Sequence, residues 1–184
     1  AWNVVVAGSY AYIADGKYGG LRVVDVSTPS VPVEVGFCNT LGNAYDIAVD
    51  GAYAYVADGE RGLRVVDVST PSAPAEVGFY SGAQDARSVA VSQGYAYVAN
   101  GRPSDLKVVD VSTPSSPVEV GFYDAPGCVY GVAVSDRYAY LADNEGGLWV
   151  VDVSTPTVPV GMGHYSVPGD SRDVVVAGGY AYIA

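Results

Sequence analysis

The chain has 184 residues, of which 16% are charged and 49% belong to the apolar set AVILMFWYC. That is too apolar for a disordered chain and long enough for one domain with a sizeable core, while no apolar run approaches the roughly 18–20 residues of a membrane-spanning helix. A formal net charge of −11 repels nucleic acid phosphate and anionic lipid, so neither is an expected partner.

Read from its start, the chain opens at Ala1-Trp2-Asn3 already inside a repeat and closes at Ala184 within a YAYIA segment. The ends are therefore expected to be cuts through a longer array. The second Tyr of a YAY element recurs at Tyr12, Tyr55, Tyr97, Tyr140 and Tyr182. The Asp of a VVDVS element recurs at Asp25, Asp67, Asp110 and Asp152. Both markers keep intervals of 42 or 43 residues, and a period of about 40–45 residues is that of a four-stranded propeller blade.

The second unit shows the strands. Tyr45 to Val49 alternates and stops at the turn signal Asp50-Gly51. Tyr53 to Ala57 follows and breaks at Asp58-Gly59. Leu63 to Val68 is β-branched and ends at Ser69-Thr70-Pro71. Ala75 to Tyr80 is the fourth run, after Pro74. These are strands A to D of an antiparallel meander, with no helical apolar period. Strand B carries Tyr53 and Tyr55 on one face and Ala54 and Val56 on the other. A bulky face and a small face suit stacking of one blade on the next, and each buried Tyr supplies up to several kcal/mol at ~25 cal/mol per Å².

The expected fold is thus an all-β propeller of four-stranded antiparallel blades in one domain. Blades run over residues 2–41, 44–83, 86–126 and 129–168, and 172–184 supplies strands A and B of a fifth. Cys38 and Cys128 lie two repeats apart, too far for a bridge, and neither indicates the redox compartment.

The segments Gly20–Ser27, Gly62–Ser69, Leu106–Ser112 and Gly147–Ser154, each downstream of a YAYVAD-like strand, resemble the LVIVD repeat. The departures are Arg22, Arg64, Lys107 and Trp149 at the second motif position, and Asn100 where the other repeats have Asp. The resemblance covers the whole chain. It implies a propeller of a secreted or surface-attached protein, extracellular or on the cell surface, and it brings no catalytic residue and no cofactor.

The loops divide into two rims. The C–D turns read STPSVP, STPSAP, STPSSP and STPTVP; Ser and Thr hydroxyls and Pro make such turns architectural, and Asp25, Asp67, Asp110 and Asp152 are expected to cap them. The other rim, made of the B–C and D–A loops, varies. In propellers of this type strand A lines the central channel, which implies that its first residues face the channel mouth: Trp2 and Asn3, Tyr45 and Asp46, Arg87 and Ser88, Tyr130 and Gly131, Arg172 and Asp173. Aromatic and Arg side chains near carboxylates make contacts, so these are the candidate binding residues, against loops that drift for want of constraint.

Asp15, Asp58, Asn100 and Asp143 end strand B beside Gly-rich loops, but no DxDxDG loop with a trailing Glu is present. Turn formation accounts for them, and no metal is expected. GxSxG, HExxH and Walker A patterns are absent, and His164, the single His, replaces Phe37, Phe79 and Phe122. The expected function is a non-enzymatic scaffold or binding module presenting the variable rim to a protein or glycan. The alternative is a structural subunit of a surface layer, fibre or adhesin that assembles with further copies through its terminal strands. Third comes a hydrolase at the channel mouth using Asp46 and Asp173, since two carboxylates suffice for glycoside hydrolysis.

Overall fold

The computed structural model describes residues 1–17 and 19–184; Tyr18, in the first B–C loop, lies outside the described residues. Strands β1 (Asn3–Ala7), β2 (Tyr10–Ala14), β3 (Gly16–Lys17), β4 (Leu21–Asp25) and β5 (Val33–Cys38) come from the first repeat. The second supplies β6 (Asn43–Ala44), β7 (Asp46–Asp50), β8 (Tyr53–Ala57), β9 (Leu63–Asp67) and β10 (Ala75–Tyr80). The third and fourth give β11 (Ala86–Ser92), β12 (Tyr95–Asn100), β13 (Asp105–Asp110), β14 (Val118–Asp124), β15 (Val129–Ser135), β16 (Tyr138–Asp143), β17 (Gly147–Asp152) and β18 (Val160–Tyr165). The last segment gives β19 (Val174–Ala177) and β20 (Tyr180–Ile183).

These form four four-stranded antiparallel sheets, β1-β2-β4-β5, β7-β8-β9-β10, β11 to β14 and β15 to β18, plus the hairpin β19-β20. There is no helix among the described residues, and so none long and apolar enough to cross a membrane. The A–B hairpins turn on two residues, and the first always has positive φ: Gly8, Gly51, Gln93, Asp136 and Gly178. Such turns match the strand twist. In the second sheet the turn is Gly51-Ala52, one residue later than the Asp50-Gly51 signal, because Asp50 still pairs with Tyr53.

Each sheet packs its tyrosine face on the alanine face of the next. Tyr12, Leu21 and Val23 meet Ile47, Ala54, Val56 and Val66. Tyr55, Leu63 and Val65 meet Val89, Ala96, Val98 and Val109. Tyr97, Leu106 and Val108 meet Val132, Ala139, Leu141 and Val151. The core is therefore a series of inter-sheet layers, and the first strands β1, β7, β11, β15 and β19 lie against one another in that order.

The turn end of the sheets is repetitive. The backbone amides of Ser27, Ser69, Ser112 and Ser154 donate to Asp25, Asp67, Asp110 and Asp152 at 2.8–2.9 Å. Three of the four proline turns then seat on the preceding sheet. A Cβ at Gly36, Gly78 or Gly121 would overlap the carbonyl oxygen of Pro71, Pro114 or Pro156. The outermost strands carry a bulge each, at Val35, Val77, Val120 and Met162, where the pairing skips one residue. Bulges bend an exposed edge and spoil it as a template for further pairing.

Candidate functional site

At the opposite end, the leading residues of the first strands converge. Trp2, Asn3, Tyr45, Asp46, Arg87, Ser88, Tyr130, Arg172 and Asp173 line one cavity of about 380 Å³. Alternation along the strand separates them into two tiers. Arg87 and Tyr130 are the unpaired residues of bulges, since the pairing of β11 skips from Ala86 to Ser88 and that of β15 from Val129 to Gly131. A bulge re-aims a side chain, and here it turns both toward the cavity. Gly131 lines no wall: a Cβ there would press on the backbone of Arg172 and Asp173.

The lower tier is a hydrogen-bonded floor. Asp46 is buried, and its two oxygens accept from four donors. Asn3 Nδ2 and the Ile47 amide donate to Oδ1; Ser88 Oγ at 2.6 Å and the Val89 amide at 2.9 Å donate to Oδ2. Ser88 Oγ in turn accepts from the Val132 amide at 3.2 Å. The belt ties four successive first strands together. Burial pushes the Asp46 carboxyl up, the Ser88, Val89 and Ile47 donors oppose that, and Asp173 adds to it. Asn3, Asp46 and Ser88 are thus occupied within the fold. All three also line the cavity. Asp173 differs. It is exposed, and among the described residues its carboxylate accepts from the Val174 amide alone, at 2.8 Å.

The upper tier is an aromatic and cationic wall. Trp2 meets Tyr45 edge-on, with centroids 5.6 Å apart at 70°. The Arg87 guanidinium lies 4.5 Å from the Tyr45 ring centroid and 5.6 Å from that of Tyr130, and Asp85 pairs with it at 2.7 Å. Among the described residues the Arg172 guanidinium pairs only with Asp170, at 3.3 Å, and its side chain is 73% exposed against 31% for Arg87. Asp85 and Asp170 were missed by sequence reasoning. Their signal was present: Asp85-Ala86-Arg87 and Asp170-Ser171-Arg172 share a D-x-R spacing.

The surrounding loops are laced through their backbones. β3 of the first B–C loop pairs with β6 of the following D–A loop. Gly59 and Ala86 exchange hydrogen bonds at 3.1 and 3.0 Å, and the Ser171 amide donates to Asn144 O. The residues ending strand B join this lacing. Thr40 Oγ1 donates to Asp58 at 2.6 Å, the Asp85 amide to Asn100 at 2.8 Å, and the Gly127 amide to Asp143 at 3.0 Å. Burial pushes the Asp58 carboxyl up to about 6, opposed by Thr40 and by Arg64 3.9 Å away.

The same residues explain the departures from the repeat. Arg22 reaches Asp15 at 2.5 Å, and Arg64 reaches Asp58. In the third sheet Asn100 donates to Asp105, and Lys107 pairs with that carboxylate at 2.9 Å. In the fourth, burial raises the Asp143 carboxyl, while the Gly127 amide and the Trp149 indole pull it back. Trp149 itself stacks on His164 at 4.4 Å. In the first two sheets the second motif position answers the acid at the end of strand B, whereas in the third Lys107 answers Asp105.

The family profile described as LVIVD repeat matches residues 1–40, 41–81, 83–125, 126–167 and 168–184. Among solved structures the chain is similar to the computationally designed Ika8 protein, with a TM-score of 0.74 and 12% identity over 98% of this chain and 54% of that one. It is also similar to a functionally unknown protein from Desulfotomaculum acetoxidans DSM 771, with a TM-score of 0.82 and 12% identity over 98% of this chain and 61% of that one. At such identity the likeness is one of fold alone, and the chain spans little more than half the length of either. No curated protein matches.

Proposed function

The chain belongs to the LVIVD repeat family, and on that premise we propose that its sheets are blades of a β-propeller serving as a non-enzymatic, extracellular binding module. The blade reading is supported by the layered tyrosine-on-alanine packing and by first strands that lie together on one side. The binding reading rests on one observation: the leading residues of five separate repeats meet around a single cavity, with aromatic rings and Arg side chains upward. Concave sites with a few placed polar groups are where ligands bind. Against a hydrolase stands Asp46, whose oxygens are both occupied, so that only one of the two acids is open for chemistry.

The test is an array of saccharides and peptides probed with the folded chain. Saturable binding that is lost in Trp2→Ala with Arg172→Glu, and kept in Phe79→Ala on an outer strand, is the expected result. Binding that survives the double substitution, or no saturable ligand of either class, overturns the reading.

A second reading, assembly through the terminal sheets, has its own observation. Tyr12, Tyr55 and Tyr97 are 4–5% exposed, whereas Tyr180 and Tyr182 are 70% and 60% exposed, and the first sheet leaves Val4 and Val6 uncovered. These are the two halves of the internal packing interface, and a further repeat fits each. Concentration-dependent association measured by light scattering, abolished by Tyr182→Glu, is its signature.

A further inference from the structure

We infer that the cavity takes a neutral saccharide ring, stacked on Trp2 and hydrogen-bonded by Arg172 and Asp173; this rests on the binding-module reading and specifies its ligand. The upper wall has two halves of unequal freedom. In one, Arg87 is already enclosed by Tyr45, Tyr130 and Asp85, so its charge and both rings serve each other. In the other, Trp2 is 71% exposed and meets Tyr45 in a T-shaped contact, so that ring is not stacked on its indole. Arg172 and Asp173 line the same cavity, both exposed, one a donor and one an acceptor. A second cleft of about 410 Å³ continues from it, between Trp2, Asn3, Val4 and Asp173.

Charge selects among ligands. An anion attracted by Arg172 meets Asp173, and a cation attracted by Asp173 meets Arg172. A polyhydroxylated neutral ring satisfies both, because each hydroxyl donates and accepts, while its C–H face lies on the indole. The volume is at the low end for small-molecule sites, which span about 300–1,000 Å³, so the fit is a short saccharide rather than a folded protein surface.

The experiment uses tryptophan emission. The chain has two Trp, and Trp149→Phe leaves Trp2 as the sole reporter. This variant is titrated with neutral di- and trisaccharides of glucose, galactose and N-acetylglucosamine, with a hexuronic acid disaccharide, and with Arg-rich and Glu-rich peptides. Expected are a saturable change with a neutral saccharide and, by calorimetry on the otherwise native chain, about tenfold weaker binding in Trp2→Ala, as for loss of an aromatic anchor. Arg172→Ala and Asp173→Asn should each weaken it severalfold, with melting temperatures unchanged. Saturable binding of a charged peptide or the uronic acid alone overturns the saccharide assignment and leaves the rim reading intact. Binding of no probe, or binding indifferent to all three substitutions, overturns both.

Discussion

The two ends of the sheets obey different rules. At the turn end, four Asp residues accept one bond each from a Ser amide two residues on, and three prolines seat on three glycines of the preceding sheets. At the cavity end, five leading positions carry Trp, Tyr, Arg, Tyr and Arg, each with its own partners. The contrast teaches what repetition means here. A contact that every sheet must make to its neighbour admits one solution and repeats it. A position that faces open space is held to no such solution and varies.

The sharpest way to break the comparison is at the turn end. Gly121→Ala forces a Cβ onto the Pro156 carbonyl oxygen, whereas Gly163 has nothing within 4 Å. Gly121→Ala should cost about 3 kcal/mol in chemical denaturation. Gly163→Ala, the same change in the same repeat position, should stay within about 0.5 kcal/mol. Equal effects would mean that the proline seat holds nothing.

Protonation sharpens the comparison next, because the turn aspartates and the buried Asp58 of the cavity end shift in opposite senses. Asp67, Asp110 and their equivalents are held below the ordinary carboxylate value by the Ser side chain and amide two residues on. Their contribution is present above the ordinary value and is lost as pH falls through the folded value. Asp58 is raised from 3.8 to about 6 by burial. Its ionisation therefore opposes folding, with no penalty below about 4 and a full one above about 6. Asp58→Asn keeps the acceptor for Thr40 and removes the charge, as Asn100 does in the next sheet. It should add about 1–2 kcal/mol at pH 7 and nothing at pH 4, read from denaturation midpoints across that range.

The smallest effects belong to the cavity wall. Arg87→Ala removes a cation from two rings and an ion pair, and should cost about 1 kcal/mol. Arg172→Ala removes one exposed pair and should fall within about 0.5 kcal/mol. If Arg172 proves as costly as Arg87, the wall is not divided into a closed and an open half.

Much of this was legible in the residues. The YAY and VVDVS markers carry period, strand parity and face, so the same reasoning that pairs Tyr55 with an alanine face also puts Tyr45 and Arg87 at the same end. What escaped is whatever depends on a neighbour at the right distance. Asp46 and Asp173 occupy equivalent positions with the same side chain, yet one is saturated by Asn3 and Ser88 and the other open. No local pattern distinguishes them, because Asp46 has a sheet on each side. The pairing of β3 with β6 escaped for the same reason, as did the shift of the acid from position 100 to Asp105, which is visible only when Lys107 is seen beside it.

The proline seat also gives the stack a direction. Because a turn rests on the sheet before it and never on the one after, every unit has a distinct front and back. Two units cannot meet front to front without losing the seat, so lengthening or shortening the series has one permitted polarity. A gain or loss of one whole period leaves each surviving joint as it was, whereas a gain of half a period would strand a glycine with no carbonyl to receive. Duplication by whole units is therefore the inexpensive way for such a gene to change the size of its product.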